Sequence, residues 1–272
     1  MYKMIVSDLD ESLLRTDGSV SPADVATIAK LRAMGVKFVP NTGRGFASVQ
    51  ALLQTIGTFA MAGQYVIAYN GGAIVENAGN RILASTTLDF AAADRLFRLA
   101  AAHPDLGAHI YTLHHVYVFR PTADEKAYLA NRGVSYQEWT AHDLAALADR
   151  QVVKVIFEHP DLAARQAFAA EVAAKMGPVF TVSYSSGRYV EFNPTGIDKG
   201  DAAIALGQQI GIKPEEIIAL GDNLNDLAMI RKVGLGVSVA NGVAQVREAA
   251  GLVLPVDNNH DPVTALFAAV FA

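Results

Sequence analysis

The chain has 272 residues, 51% of them hydrophobic, enough for a large core and for two domains. A net charge of −5 leaves no basic footprint for nucleic acid, and the absence of cysteine removes disulfides, thiolate metal sites and cysteine nucleophiles. No apolar run approaches the roughly 20 residues that span a bilayer, and no basic-then-apolar leader precedes the first strand, so a soluble cytoplasmic protein without a membrane partner is expected.

The first element is Met4-Ile5-Val6-Ser7-Asp8-Leu9-Asp10, an apolar strand ending in two carboxylates. A short β-branched run bounded by polar residues suits a strand buried on both faces of a sheet. Asp8 and Asp10 fall at its carboxyl end, where ligands bind in open α/β sheets. Carboxylates that close repel each other unless a cation or a shared proton offsets them, which suggests Mg²⁺, a hard cation that bridges carboxylates to phosphates. On this segment alone, a turn residue followed by a helix cap explains the pair equally well. After a helix over 22–34, a second strand (36–40) runs into Asn41-Thr42-Gly43-Arg44. Asn41 and Thr42 can donate to a phosphate oxygen and Gly43 lets the backbone approach, although a strand-to-helix turn capped by Thr42 is the commoner use of such a stretch. A helix over 46–56 and a third strand continue the alternation to about residue 77, implying a parallel sheet flanked by helices.

Beyond residue 81 the texture changes. Short, aromatic, alternating segments (109–120, 152–158) are separated by alanine-rich helices, and 179–185 and 188–193 form a hairpin across Ser186-Gly187. This is the pattern of an antiparallel sheet covered by helices and inserted between two halves of the parallel domain. His114 and His115, taken as neighbours on a strand, would point to opposite faces and so make no metal pair. From Thr195 the βα pattern resumes. Lys199 falls in the first turn of a helix, against the dipole, and asks for an anion: Asp198, Asp201 or a bound phosphate. A buried strand at 217–220 then meets Gly221, Asp222, Asn225 and Asp226, too many polar residues after one glycine for helix capping to explain.

Taken in order, these segments resemble the motifs of the haloacid dehalogenase superfamily, in its Cof-type sugar-phosphatase branch. The resemblance rests on Asp8-Leu9-Asp10, Asn41-Thr42-Gly43-Arg44, Lys199 and Gly221-Asp222-Asn223-Leu224-Asn225-Asp226, with Tyr69-Asn70-Gly71-Gly72-Ala73-Ile74 similar to the loop before that branch's inserted domain. It implies a doubly wound parallel-sheet core at 1–81 and 195–272, and a C2B-type α/β cap at 82–194 that selects the substrate. It also implies a Mg²⁺-dependent hydrolase of small phosphate esters, with Asp8 as nucleophile and Asp10 as general acid and base. Mg²⁺ would sit on the Asp8 side chain, the Asp10 carbonyl and Asp222, with Asp226 orienting ligands. Leu9, Thr42, Gly43, Lys199 and Asn225 would hold the phosphoryl group. On the cap, His109, Tyr111, Tyr184 and Arg188 stand out among polar and aromatic residues that could meet the leaving group, although packing explains each of them separately.

One departure stands in the first motif, where the family's Gly-Thr is replaced by Glu11-Ser12. Ser12 keeps the hydroxyl. Glu11 adds charge, and strain if its φ must be positive, and it is expected to point outward. A phosphomutase using the same aspartyl-phosphate, and a non-catalytic phosphometabolite-binding module, are the alternatives to a hydrolase. A receiver-like phosphorylated domain fits the length and the insert less well.

Overall fold

The computed structural model describes residues 1–272, which divide into two compact units: 1–84 with 198–272, and 85–197. The sequence-based limits stood at 81 and 195, three residues earlier at each crossing. The first unit opens with β1 (Met4–Ser7), α1 (Pro22–Ala33), β2 (Lys37–Pro40), α2 (Gln50–Thr55), β3 (Tyr65–Ala68), β4 (Ala73–Glu76) and β5 (Arg81–Ser85). Ser21 starts α1, its side chain accepting from the Asp24 amide at 3.0 Å, with Pro22 at the first helical position. The helix expected over 46–56 is broken in two. Phe46–Val49 is a 3₁₀ turn, and Val49 leaves helical geometry (φ −103°, ψ 6°) before α2 begins.

The second unit contains α3 (Phe90–Ala101), β6 (Gly107–Thr112), β7 (Val116–Phe119), α4 (Ala123–Asn131), β8 (Gln137–Trp139), β9 (Val152–Glu158), α5 (Leu162–Met176), β10 (Phe180–Ser185) and β11 (Tyr189–Pro194). Its six strands run in the order β10-β11-β9-β6-β7-β8, antiparallel except for β7 with β8. Phe97 and Phe168 from α3 and α5 pack with Phe119, Phe157 and Phe192 from the sheet, and each such burial contributes about 1.5–3 kcal/mol. Ser186 and Gly187, at φ 53° and 64°, make the β10–β11 turn with the handedness that matches strand twist. The aromatic stretch 109–120 is two strands rather than one. His114 lies in the turn between them, and Thr112 closes that turn by accepting from the His115 amide at 3.1 Å and donating to its carbonyl at 3.0 Å. The opposite-face argument for the His114-His115 pair therefore does not hold.

The chain returns to the first unit with α6 (Lys199–Gln209), β12 (Ile217–Gly221), α7 (Leu227–Lys232), β13 (Leu235–Ser238), α8 (Ala244–Ala249), β14 (Leu252–Val253) and α9 (Pro262–Val270). Five parallel strands form the order β14-β13-β12-β1-β2, and every residue of β1 and β12 is buried, as their unbroken apolar sequences require. The third strand of the N-terminal alternation departs from this sheet. β3 pairs antiparallel with β4 in a separate sheet completed by β5, and meets the parallel sheet through an Asn41–Ile67 bridge. Ser7 is in register with Pro40 on one side and Leu220 on the other, so β1, β2 and β12 end together. Asp8, Asn41 and Asp222 consequently leave one edge of the sheet as neighbours.

Candidate active site

Lys199 sits at the centre of that edge with no solvent exposure. Its Nζ donates to Asp8 Oδ1 and, at 2.7 Å, to Asp226 Oδ1. Burial works against the ammonium charge, but the Asp226 and Asp8 carboxylates outweigh it and hold the pKa above the ordinary lysine range. Asp198 and Asp201, the anions expected to compensate Lys199, pair instead with Lys232 at 2.8 and 2.7 Å. Asp198 also caps α6 by accepting from the Gly200 and Asp201 amides, which leaves Lys199 to turn inward.

Asp222 completes a cluster with Asp8 and Asp226 in which one oxygen of each lies within 4.8 Å of the others. Burial, with Asp226 next in weight, pushes the Asp222 carboxyl up to about 7, and burial outweighs Lys199 to raise Asp8 well above the usual carboxylate range. Three carboxylates face one ammonium, an excess that a divalent cation would neutralise. The donor set fits such an ion. Lys199 takes one Asp8 oxygen and the Ser12 hydroxyl takes Asp222 Oδ1 at 2.7 Å, leaving the second oxygen of each without a protein donor. Asp226 is less open: Lys199 holds Oδ1, while the Asp222 and Asn223 amides both donate to Oδ2 at 3.0 Å. Asp8 and Asp222 therefore offer hard oxygen ligands, and Asp226 fixes the lysine and the loop beside them.

The Asp10 side chain is not part of this cluster. It is half exposed and forms a two-toothed pair with Arg44, whose Nε reaches Asp10 Oδ2 at 3.0 Å. Leu9 is fully buried, and its carbonyl accepts from the Leu14 amide at 2.7 Å, closing the loop after β1. Glu11 has φ 61° and is exposed, so the replaced glycine position does carry a positive φ, while the Glu11 charge still reaches the site and adds to the forces that raise Asp222. Asn241, not singled out in the sequence, donates to the Glu11 carbonyl at 2.8 Å and is linked to the Asn258 amide, whose side chain holds the Leu14 carbonyl at 2.9 Å. Thr42 is buried with its hydroxyl accepting from the Arg44 amide at 3.1 Å. Asn225 donates to Asn70 Oδ1 at 3.4 Å, and that same Asn70 amide packs against Gly43. The two candidate phosphoryl contacts, Gly43 and Asn225, thus share one neighbour.

The four cap candidates divide. His109 is buried, 3.1 Å from Glu125 Oε1, and Arg188 pairs with Asp124 and approaches Glu125 at 3.5 Å. Tyr111 is buried beside His109, whereas Tyr184 stands exposed on the edge strand β10. Glu125 joins His109, Arg188 and the Tyr189 hydroxyl, yet nothing in its helical sequence marks it as more than a surface acid.

A family model for haloacid dehalogenase-like hydrolases matches residues 5–266. The chain belongs to that family. Within the family it is 28% identical, over the full length of both chains, to a Bacillus subtilis protein named only provisionally as a phosphatase. It is also 28% identical to the HMP-PP phosphatase of Serratia proteamaculans, across 91% of this chain and 87% of that one. Its fold superposes on a haloacid dehalogenase-like hydrolase from Bacteroides thetaiotaomicron with a TM-score of 0.88 at 23% identity, covering all of both chains. The expectations of a hydrolase of this family's Cof-type branch and of a parallel-sheet core with an inserted domain are met.

Proposed function

We propose that this hydrolase is a Mg²⁺-dependent phosphatase that cleaves small phosphorylated metabolites, sugar phosphates foremost, through an aspartyl-phosphate on Asp8. The observation that carries the reading is Lys199, wholly buried and bonded to both Asp8 and Asp226, beside an Asp8 oxygen that no protein group occupies. Lys199 fixes the carboxylate's direction, so that one Asp8 oxygen would meet the metal and the other the reacting phosphorus. Mg²⁺ bound by the Asp8 side chain, the Asp10 carbonyl and Asp222 would neutralise the surplus carboxylate charge and draw the phosphate toward it.

In the first step an Asp8 oxygen bonds to phosphorus as the ester P–O bond breaks, and the departing alkoxide takes a proton from Asp10. In the second, Asp10 takes a proton from water as the water oxygen attacks phosphorus, releasing phosphate and restoring Asp8. Asp10 must leave the Arg44 fork to serve in either step. Leu9, Thr42, Gly43, Lys199 and Asn225 hold the phosphoryl oxygens, so catalysis rests mostly on positioning and electrostatics. Residues 85–197 act as the substrate-selecting domain in this reading, with His109, Tyr111, Tyr184 and Arg188 as candidates for leaving-group recognition. Family membership and the phosphatase names of relatives support the reaction; the sugar-phosphate preference rests on the Cof-type resemblance.

The test is phosphate release with Mg²⁺ across a panel of sugar phosphates, nucleotides and cofactor phosphates, with Asp8→Asn beside the wild type. Mg²⁺-dependent release that disappears in Asp8→Asn is the expected result. Hydrolysis surviving in that variant excludes Asp8 as nucleophile, and an isomerised sugar phosphate without free phosphate replaces the hydrolase with a mutase.

A further inference from the structure

Tyr69, Asn70 and Gly71 follow one another at φ 56°, 57° and 100°, a run of left-handed backbone that only the glycine adopts without steric cost. Neighbours hold it in place. The Tyr69 amide donates to the Arg44 carbonyl at 3.0 Å and the Asn70 amide to the Thr42 carbonyl at 2.9 Å, stitching the turn to the phosphate-side loop of β2. The buried Tyr69 ring meets Phe46 edge-on, and a methyl group on Gly45 would lie 2.9 Å from the Tyr69 hydroxyl. Gly71 admits no side chain, since a Cβ there would come within 2.5 Å of the Asp198 carbonyl, immediately before Lys199.

The purpose of the turn is visible in where it puts the Asn70 amide. A Cβ on Gly43 would lie 3.0 Å from Asn70 Oδ1 and 3.3 Å from its Nδ2, so Asn70 fills the space glycine leaves. From the far side Asn225 Nδ2 donates to Asn70 Oδ1 at 3.4 Å. Strain kept at non-glycine residues beside a ligand site is the usual sign of a conformation retained for function. We infer that Asn70 is a positioning residue of the phosphoryl site: its carbonyl oxygen orients the Asn225 amide toward the phosphate, and the strained 69–71 turn exists to hold it there. The inference rests on the phosphatase reading given above.

Asn70→Gly separates this role from a structural one, because glycine removes the amide while relieving the backbone. The variant is expected to unfold at a temperature no lower than wild type, yet to lose about tenfold in kcat/KM for p-nitrophenyl phosphate with Mg²⁺, the scale of one lost hydrogen bond. In an Asn225→Ala background the same change is expected to cost less than twofold, since Asn70 acts through Asn225. Unchanged kcat/KM in Asn70→Gly, or equal losses in both backgrounds, overturns the inference. Orthophosphate affinity in the presence of Mg²⁺ gives a second readout that needs no turnover, with roughly tenfold weaker binding expected in Asn70→Gly. A wild type that binds orthophosphate but hydrolyses nothing defeats the phosphatase reading alone, whereas equal affinities in wild type and Asn70→Gly defeat the inference alone.

Discussion

Glu11 occupies a left-handed backbone position between two residues with different tasks, Asp10 in the Arg44 fork and Ser12 on Asp222. Its side chain is exposed, and its carbonyl, not its carboxylate, is what Asn241 holds. The residue thus carries a conformational cost of about 1–2 kcal/mol that glycine would lack, partly offset by glycine's freer unfolded chain. Glu11→Gly is expected to raise the unfolding midpoint by a few degrees, at roughly 2–4 °C per kcal/mol for a chain this long, and to leave turnover within about twofold. Scanning calorimetry and phosphate release check the two halves; a lower midpoint would mean that the Glu11 side chain makes a stabilising contact. At this scale the sequence was readable wherever chemistry names the residue. Asp8, Lys199 and Asp222 announce themselves by type and by place after a strand. Asn241 and Asn258 do not, because an asparagine that holds a distant carbonyl looks like any loop asparagine until the chain folds.

At the scale of elements, strand ends were legible and the partners of buried polar groups were not. β1 and β12 are too apolar to be anything but inner strands, so the site at their carboxyl ends followed directly. By contrast, nothing local revealed that α4 turns Glu125 toward β6 and β11, where His109 and Tyr189 meet it. Burial lowers His109 below the ordinary imidazole pKa, against the opposing pull of Glu125, with Lys154 and Glu191 also facing it. A depressed folded-state pKa means that the unfolded chain takes up the proton more readily. The stability conferred by a neutral His109 is therefore present above about pH 6.5 and is lost as the pH falls through the lower folded value. Wild type is expected to lose more in unfolding midpoint between pH 7.5 and 5.5 than His109→Gln, which has no proton to bind. Parallel pH slopes for the two proteins in a thermal melt series would show that folding leaves the proton affinity of His109 unchanged.

Across the whole molecule, the βα alternation broken by an aromatic, alanine-rich insert was enough to foresee a parallel-sheet core interrupted by a second domain. What it missed was β3, which carries the texture of a core strand but pairs with β4, because a hairpin partner five residues away competes successfully with the distant sheet edge. The same core bears a global electrostatic load that ties stability to the site. With burial and Asp226 pushing Asp222 up to about 7, the metal-free folded chain retains a proton that the unfolded chain gives up near 3.8. Between those values stability falls as the pH rises, and above about 7 the folded state bears the full carboxylate repulsion. A divalent ion binds only the ionised carboxylates, so its stabilising effect must grow across the same window. At saturation near 100 times its dissociation constant the ion adds about 2.7 kcal/mol, or roughly 5–10 °C. Mg²⁺ is thus expected to shift the wild-type midpoint strongly at pH 8 and weakly at pH 5.5. Asp222→Asn keeps an oxygen for the Ser12 hydroxyl while removing the charge. It should melt higher than wild type without Mg²⁺ at pH 8 and gain little when Mg²⁺ is added. Should Mg²⁺ stabilise Asp222→Asn as much as wild type, the ion's stabilising site lies elsewhere, and the carboxylate cluster would owe its arrangement to Lys199, the Ser12 hydroxyl and the loop amides on Asp226.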